Sequence, residues 1–137
     1  MKEYNRTKIQ ELSAVAIYGV LTYAHMGEEV DVAKILSDTF ELPYEEVPLF
    51  AKEVLINLIK YGKEEIALLE KHMRNWTFDR LNRMEQAILL LAVTQYLHLE
   101  EKVDRKVVIN VAVNLAHLYL DEKDYKFVNA ILDKVLA

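Results

Sequence analysis

Residues 82–97 read NRMEQAILLLAVTQYL, and their middle part, AILLLAV at positions 87–93, would be apolar on every side of a helix. Asn82 can cap the start of this helix, because an asparagine side chain accepts hydrogen bonds from the free backbone N–H groups of a first turn. A helix without a polar face is stable in water only where other elements cover it. We therefore predict a central helix that is enclosed by other helices.

A first helix is predicted upstream of this segment. Apolar residues recur at helical spacing from Ile9 to Tyr23, and Gly27 offers a natural stop. Thr7 and Gln10 have the spacing of a capping box, in which the two side chains satisfy free backbone N–H groups. The first helix is therefore expected to begin at Thr7.

Further helices are predicted on the same criteria. They run from about Asp31 to Phe40, from Pro48 onward, from Arg105 to Leu118 with Asp104 as the cap, and from Asp124 to about Leu136. The third helix is expected to turn inward Leu49, Val54, Leu55, Leu58 and Ile59. Gly62 either ends that helix or lies within a longer one. The β-branched run 107–109 also permits a strand, although an isolated strand would leave its backbone groups without partners.

Composition agrees with a helical protein. The chain has 137 residues, the usual size of one domain, and 53% of them are hydrophobic. Only three glycines and two prolines are present, too few for the many tight turns of a sandwich or barrel. We predict an all-α fold, a compact single-domain bundle of about six to seven helices that spans residues 1–137.

The expected location follows from what the sequence lacks. It has no cysteine, and its start, MKEYNRTKIQ, has no apolar signal-peptide core. The apolar stretch at 87–93 is far shorter than the roughly 18 residues that would suggest a membrane span. We predict a cytoplasmic protein without a membrane partner.

The charge is unevenly distributed along the chain. Residues 1–70 carry 7 basic and 13 acidic side chains, whereas residues 71–137 carry 10 basic and 9 acidic ones. Nucleic-acid binding depends on cations that neutralise phosphates. An anion-binding surface is therefore expected mainly in the second half, with contributions from Lys2, Arg6 and Lys8.

No catalytic or metal-binding pattern is present. The residues three positions before the four histidines are Thr22, Leu69, Gln95 and Asn114, so the Glu-x-x-His spacing of bundle metal sites does not occur. Glycine-rich phosphate loops and nucleophile elbows are also missing. We predict that the protein is not an enzyme and uses no cofactor or metal.

Basic and aromatic residues near helix starts and loops suggest another chemistry. They are Arg6, Lys8, Tyr18, Lys102, Arg105, Lys106, Lys123, Lys126 and Phe127. Cations that follow phosphates and rings that stack on bases suit single-stranded RNA. The same residues also fit an ordinary surface with two core aromatics, so composition alone leaves both interpretations open.

Several segments resemble the NusB family of bacterial transcription antitermination factors. They are Lys106–Asn110 with Ala112–Ala116, Lys126–Lys134, Trp76–Leu81, Glu85–Val93 and Ala14–Tyr18. The first two follow the family's K-V-x-I-N-E-A-x-E-L-A and K-F-V-N-G patterns. The similarity runs in order along nearly the whole chain, although residues 28–65 add little to it.

The resemblance implies a compact helical fold and a role in the RNA polymerase antitermination complex. It implies binding of boxA-type RNA together with NusE, a small-subunit ribosomal protein, and no catalysis. By position, the implied RNA-facing residues are Arg6, Lys8, Tyr18, Lys123, Lys126, Phe127 and Asn129. The implied partner-facing residues are Arg80, Arg83, Glu85 and Gln86.

The sequence also departs from the family pattern. Arg6 and Lys8 stand where the family has an arginine-rich run. Polar family positions are occupied by Leu90, Gln95, Val111 and Asn114. Two alternatives therefore stay open: a scaffold with little RNA binding, and a relative of the domain found before some ribosomal RNA methyltransferases. Tyr119 and the apolar segment 105–120 also leave room for a homodimer.

Overall fold

The structure is a computed structural model that describes residues 3–74 and 76–137. Within that range it has six α-helices: α1 (Arg6–His25), α2 (Val32–Phe40), α3 (Leu49–Lys71), α4 (Arg83–His98), α5 (Arg105–Tyr119) and α6 (Glu122–Val135). Short 3₁₀ turns follow α2 at Tyr44–Glu46 and precede α4 at Phe78–Arg80. The predicted all-helical fold is confirmed, and the described residues contain no strand.

Helix α4 is the centre of the bundle. It packs against α1, α3, α5 and α6, while α2 lies on the outside against α1 and α3. Every residue from Ala87 to Val93 is at most 2% exposed. Full burial of a valine, leucine or isoleucine side chain contributes about 1.5–3 kcal/mol to the stability of the folded protein. The predicted central helix is therefore confirmed, and its apolar surface organises the core.

The helix starts were predicted correctly at two of three caps. Asn82 accepts hydrogen bonds from the backbone N–H groups of Met84 and Glu85, and Asp104 accepts one from that of Lys106. The predicted cap at Thr7 is wrong. The side chain of Asn5 accepts from the backbone N–H of Lys8 at 2.8 Å, so the cap lies two residues earlier than the capping-box pattern indicated and α1 begins at Arg6.

The later boundaries also differ in part from the prediction. Helix α6 begins at Glu122 instead of Asp124, directly after Asp121. Gly62 lies inside α3, which continues to Lys71. Residues 107–109 belong to α5, so the strand alternative is excluded.

One face of α3 is more exposed than expected. Leu49 is 69% exposed and Ile59 is 56% exposed, although both were predicted to point inward. Helix α3 packs on the bundle through the stripe that contains Phe50, Val54 and Leu58, and Leu49 and Ile59 lie outside that stripe. Apolar periodicity alone does not distinguish these two sides, because α3 has apolar residues on both.

Candidate nucleic-acid interface

The first turn of α1 presents two of the predicted RNA-facing cations. The Arg6 guanidinium lies 4.2 Å from the centre of the Phe50 ring and 3.7 Å from the Glu101 carboxylate. Lys8 Nζ lies 3.2 Å from a carboxylate oxygen of Glu11. Both side chains are about half exposed. They are therefore accessible to an anion, but each already has an acidic neighbour.

Tyr18 lies further along α1, beside the start of α4. Its ring is 41% exposed, and the Arg83 guanidinium carbon lies 5.9 Å from the ring centre. Arg83 Nη1 also donates to Thr22 Oγ1 at 3.3 Å. A predicted RNA-facing residue and a predicted partner-facing residue are thus neighbours. Lys2, the remaining cation assigned to this region, falls outside the described residues.

The turn at Phe78–Arg80 is held by two side chains from neighbouring helices. The Phe78 N–H donates to Glu70 Oε2 at 2.7 Å, and Gln86 Nε2 donates to the Phe78 carbonyl at 2.7 Å. Gln86 is buried, and its amide is committed to this bond. This burial corrects the expectation that Gln86 faces a partner directly. Its role is to position the turn that carries Arg80, whose guanidinium lies 5.2 Å from the centre of the Trp76 ring.

A cleft of about 440 Å³, here called the aromatic cleft, lies between this turn and the start of α6. It is lined by Trp76, Arg80, Leu81, Asn82, Glu85, Asp121, Lys123, Asp124 and Phe127. Two RNA-facing candidates, Lys123 and Phe127, therefore share one cleft with the partner-facing candidates Arg80 and Glu85. The structure does not separate the two sets at this place.

Glu85 is the unusual group of the aromatic cleft. The residue is only 3% exposed, so the carboxylate that the family resemblance implied to be partner-facing is buried. Its Oε2 has no hydrogen-bond partner within the part of the chain that the structure describes. Burial, with a smaller contribution from the negative charge of Asp124, raises the pKa of Glu85 to about 7. Its charge is therefore sensitive to neutral pH and to any donor that enters the cleft.

The other α6 candidates, Lys126 and Asn129, lie in a second cleft of about 360 Å³, here called the basic cleft. It is lined by Arg105, Lys106, Ile109, Asn110, Val113, Tyr125, Lys126, Asn129 and Asp133. Arg105 Nη2 donates to the Asp133 carbonyl at 2.6 Å and also contacts the Asp133 carboxylate. Helix α6 therefore carries its RNA-facing candidates on two different sides.

Sequence reasoning missed three of the residues that line these clefts. Trp76, which is 52% exposed in the aromatic cleft, was noted only as part of a family motif. Lys106 was grouped with the basic residues that suit RNA but not with the RNA-facing set, and Asn110 was noted only as part of a family motif. The two lie four residues apart on α5 and hence on one face. On α6, Lys126 and Asn129 lie three residues apart and therefore also share a face. A lysine and an asparagine on one face of each helix was the sequence signal that could have identified this cleft.

The described residues form neither a metal-binding cluster nor a membrane-spanning helix. Residues 3–74 and 76–137 contain no group of three or more histidine, aspartate or glutamate side chains that could hold a metal ion. None of the helices in these ranges is both long and apolar enough to cross a membrane.

Comparison with known proteins gives one consistent result. The model of the NusB family matches residues 7–137. A transcription antitermination protein NusB from Clostridium tetani is 36% identical over 133 residues, which cover 93% of this chain and 86% of that protein. The NusB protein of Finegoldia magna is 38% identical over 87 residues. This match covers 64% of this chain and 63% of the Finegoldia protein, so the chain spans less than two thirds of that relative's length.

A solved structure agrees with these relatives. A chain from the crystal structure of the antitermination factors NusB and NusE in complex with dsRNA superposes with a TM-score of 0.76 and 25% identity. The superposition covers 96% of this chain and 95% of that one. Both the fold and the sequence are thus shared along nearly the full length, and this chain belongs to the NusB family.

Proposed function

We propose that the chain is a transcription antitermination factor, a non-catalytic adaptor that binds boxA-type single-stranded RNA together with the ribosomal protein NusE. It acts in the cytoplasm, within the RNA polymerase antitermination complex, and uses no cofactor. The observation that carries this proposal is the match to the NusB family over residues 7–137, which includes both clefts. The related complex of NusB, NusE and dsRNA supports NusE and an RNA as partners, while the single-stranded boxA-type form is what the resemblance to the family implies.

The proposed RNA-facing residues are Arg6, Lys8, Tyr18, Lys123, Lys126, Phe127 and Asn129. Their geometry supports this role in part. The Lys126 side chain is 66% exposed, and its only ion pair within the described residues is with Glu122 of the same helix at 3.1 Å. Exposed pairs of this kind contribute only about 0.3–0.5 kcal/mol, so a phosphate can displace Glu122 at little cost.

The proposed partner-facing residues are Arg80, Arg83 and Glu85, with Gln86 as the residue that positions Arg80. Arginine and tryptophan side chains are enriched at the energetic centres of protein interfaces. Trp76 and Arg80 lie together at the edge of the aromatic cleft, where a protein partner can cover both. Glu85 lines the same cleft, but its unpaired Oε2 is buried, so a partner donor reaches it only if the cleft opens.

A second candidate is a protein-binding scaffold with little RNA affinity. Two observations favour it: the net charge is −5, and both Arg6 and Lys8 have acidic neighbours at the start of α1. In this case the aromatic cleft would still bind a protein partner, while Arg6 and Lys8 would only form ion pairs within the protein.

A salt titration distinguishes the two candidates. A labelled boxA-type RNA, a scrambled RNA and a duplex of the same sequence are titrated with the protein at several salt concentrations. If three or four phosphates are neutralised on a single strand, log affinity falls with log salt at a slope of roughly −2 to −3, about 0.7 per phosphate. The adaptor shows this slope and prefers the single-stranded boxA-type RNA. The scaffold shows neither behaviour.

A further inference from the structure

The basic cleft between α5 and α6 differs in charge from three other clefts on the protein: the aromatic cleft, one lined by Tyr23 and Lys34, and one lined by Arg6 and Phe50. Three cations, Arg105, Lys106 and Lys126, line it against one carboxylate, that of Asp133. The aromatic cleft and the two clefts beside α1 each have more carboxylates than cations in their linings. In a chain with a net charge of −5, the basic cleft is thus the one of these four whose lining favours an anion.

The single carboxylate does not neutralise all three cations. Arg105 binds both the carbonyl and the carboxylate of Asp133, so that carboxylate is already engaged. Within residues 3–74 and 76–137, Lys106 has no ion pair, and its side chain is exposed. Arg105 is thereby fixed in place as part of the cleft wall. Lys106 has no such pair, and Lys126 is held only by the exposed pair with Glu122 on its own helix, which a phosphate can displace at little cost.

Two carboxamides accompany these cations. Asn110 follows Lys106 by four residues on α5, and Asn129 follows Lys126 by three on α6, so each helix contributes one cation and one amide to the cleft. Both asparagines are exposed. A carboxamide offers an acceptor and two donors, which is the pattern that recognises the edge of a nucleobase. Cations alone would indicate only an anion, whereas the added amides indicate a ligand that also carries hydrogen-bonding edges.

We infer that the basic cleft holds one nucleotide of a single-stranded RNA, with its phosphate bound by Lys106 and Lys126 and its base edge bound by Asn110 and Asn129. Adenine is the base that an asparagine amide recognises with two hydrogen bonds, through N6 and N7. The volume of about 360 Å³ fits one nucleotide rather than a longer segment. This inference rests on the proposed RNA-binding function and adds a base-reading subsite to it.

The test separates base contacts from phosphate contacts, because only the former depend on sequence. The variants Asn110→Ala and Asn129→Ala are compared with Asn114→Ala, which removes an exposed asparagine one turn further along α5, outside the cleft. Lys106→Gln is compared with Lys63→Gln on α3. Affinity is measured for the full chain with labelled boxA-type RNA and with scrambled RNA, each over a salt series and with NusE present.

The two cleft asparagine variants are expected to lose roughly tenfold in affinity for the boxA-type RNA, with no change for the scrambled RNA or in the salt slope. Lys106→Gln is expected to weaken the binding of both RNAs and to reduce the slope of log affinity against log salt by about 0.7. If the wild type binds RNA with sequence preference and the cleft variants match their controls, the nucleotide subsite is refuted and the proposed function stands. If the wild type binds no RNA in the presence of NusE, the proposed function fails, and the subsite fails with it.

Discussion

The Tyr119 hydroxyl donates a hydrogen bond to the Glu11 carboxylate at 2.5 Å, across 108 positions of the chain. The same carboxylate accepts a bond from Lys8 at 3.2 Å. This contact joins the end of α5 to the first turns of α1, and so fixes one of the proposed RNA-facing cations relative to the α5–α6 corner. The bond from Tyr119 is the main cause of the lowered pKa of Glu11. Burial is the largest cause that raises the pKa of Tyr119 to about 12, and the hydrogen bond to Glu11 is the second.

Replacement of Tyr119 by phenylalanine is expected to raise the pKa of Glu11 and to lower the free energy of unfolding at pH 7 by about 0.5–1 kcal/mol. A carboxyl whose folded pKa is depressed contributes stability above its unfolded pKa, and this stability is lost as the pH falls through the folded value. The difference between variant and wild type should therefore shrink in acid. Urea denaturation at pH 7 and pH 3 measures this difference in the free energy of unfolding, with Tyr23→Phe as the control. An equal loss at both pH values would contradict the assignment.

Glu65 and His98 form a buried contact between α3 and α4. Glu65 Oε1 accepts from Thr94 Oγ1 at 2.8 Å, and His98 Nε2 lies 3.4 Å from Oε2 while its ring stacks on Tyr61. Burial raises the pKa of Glu65 to about 7 and lowers that of His98. Both shifts favour the neutral forms. Despite the short distance, the shifts therefore favour a neutral Glu65 carboxyl below about pH 7 and give no fixed ion pair with His98.

Glu65→Gln is expected to make the protein less sensitive to pH between about 4.5 and 7. Because the folded state holds the Glu65 proton more tightly than the unfolded state, burial of this carboxyl costs stability as the pH rises through that range. The free energy of unfolding of the variant should improve relative to wild type by an amount on the order of 2 kcal/mol from pH 5 to pH 8. Denaturation curves at both pH values, with Glu45→Gln at an exposed carboxylate outside this contact as the control, provide the measurement. A constant difference between the variant and wild type would contradict the account.

Glu85 is expected to make partner binding depend on pH. Its pKa of about 7 means that the unpaired carboxylate in the aromatic cleft gains its charge between pH 6 and pH 8. If a donor from NusE binds this carboxylate, the affinity of the wild type rises over that range, whereas the affinity of Glu85→Gln stays flat. Calorimetric titrations with NusE at the two pH values test this, with Glu64→Gln as the control. Parallel curves for wild type and Glu85→Gln would remove Glu85 from the partner contact.

Lys126→Glu is expected to weaken RNA binding by at least tenfold and to reduce the salt slope, because it replaces a phosphate contact by a repulsive charge. Lys34→Glu on α2 is a matched control, since Lys34 pairs with Asp38 four residues away at 3.0 Å as Lys126 pairs with Glu122. Each change replaces an attractive pair on a helix by a repulsive one and costs similar stability. Equal RNA affinities of the two variants would contradict the placement of RNA at α6.

The features of the fold that could be predicted were those set by local chemistry. The apolar segment 87–93 and the caps Asn82 and Asp104 depend on neighbouring residues, and all three were predicted correctly. The exposure of Leu49 and Ile59 depends on which side of α3 meets the bundle, and that choice is made by the other helices. Whether residues 1–137 form a single domain stays a prediction.

The site was predicted less completely for the same reason. Family patterns identified Lys126 and Asn129 on α6, but only the packing of α5 against α6 brings Lys106 and Asn110 to them. Gln86 was assigned to the partner-facing set by its position in the family pattern, which does not show whether the side chain is buried. The turn at Phe78–Arg80 covers Gln86, whose side chain binds the Phe78 carbonyl. The sequence before this turn has no periodic pattern from which the turn could be predicted.

The most direct test of the adaptor function is the affinity for boxA-type RNA, measured at one salt concentration with and without saturating NusE. The adaptor account predicts tighter binding of boxA-type RNA when NusE is present, little such gain for scrambled RNA, and an equal gain in NusE affinity when the RNA is present, because coupling between two ligands is reciprocal. RNA affinity that is negligible in both conditions, while NusE binds, would contradict the account and leave a protein-binding scaffold.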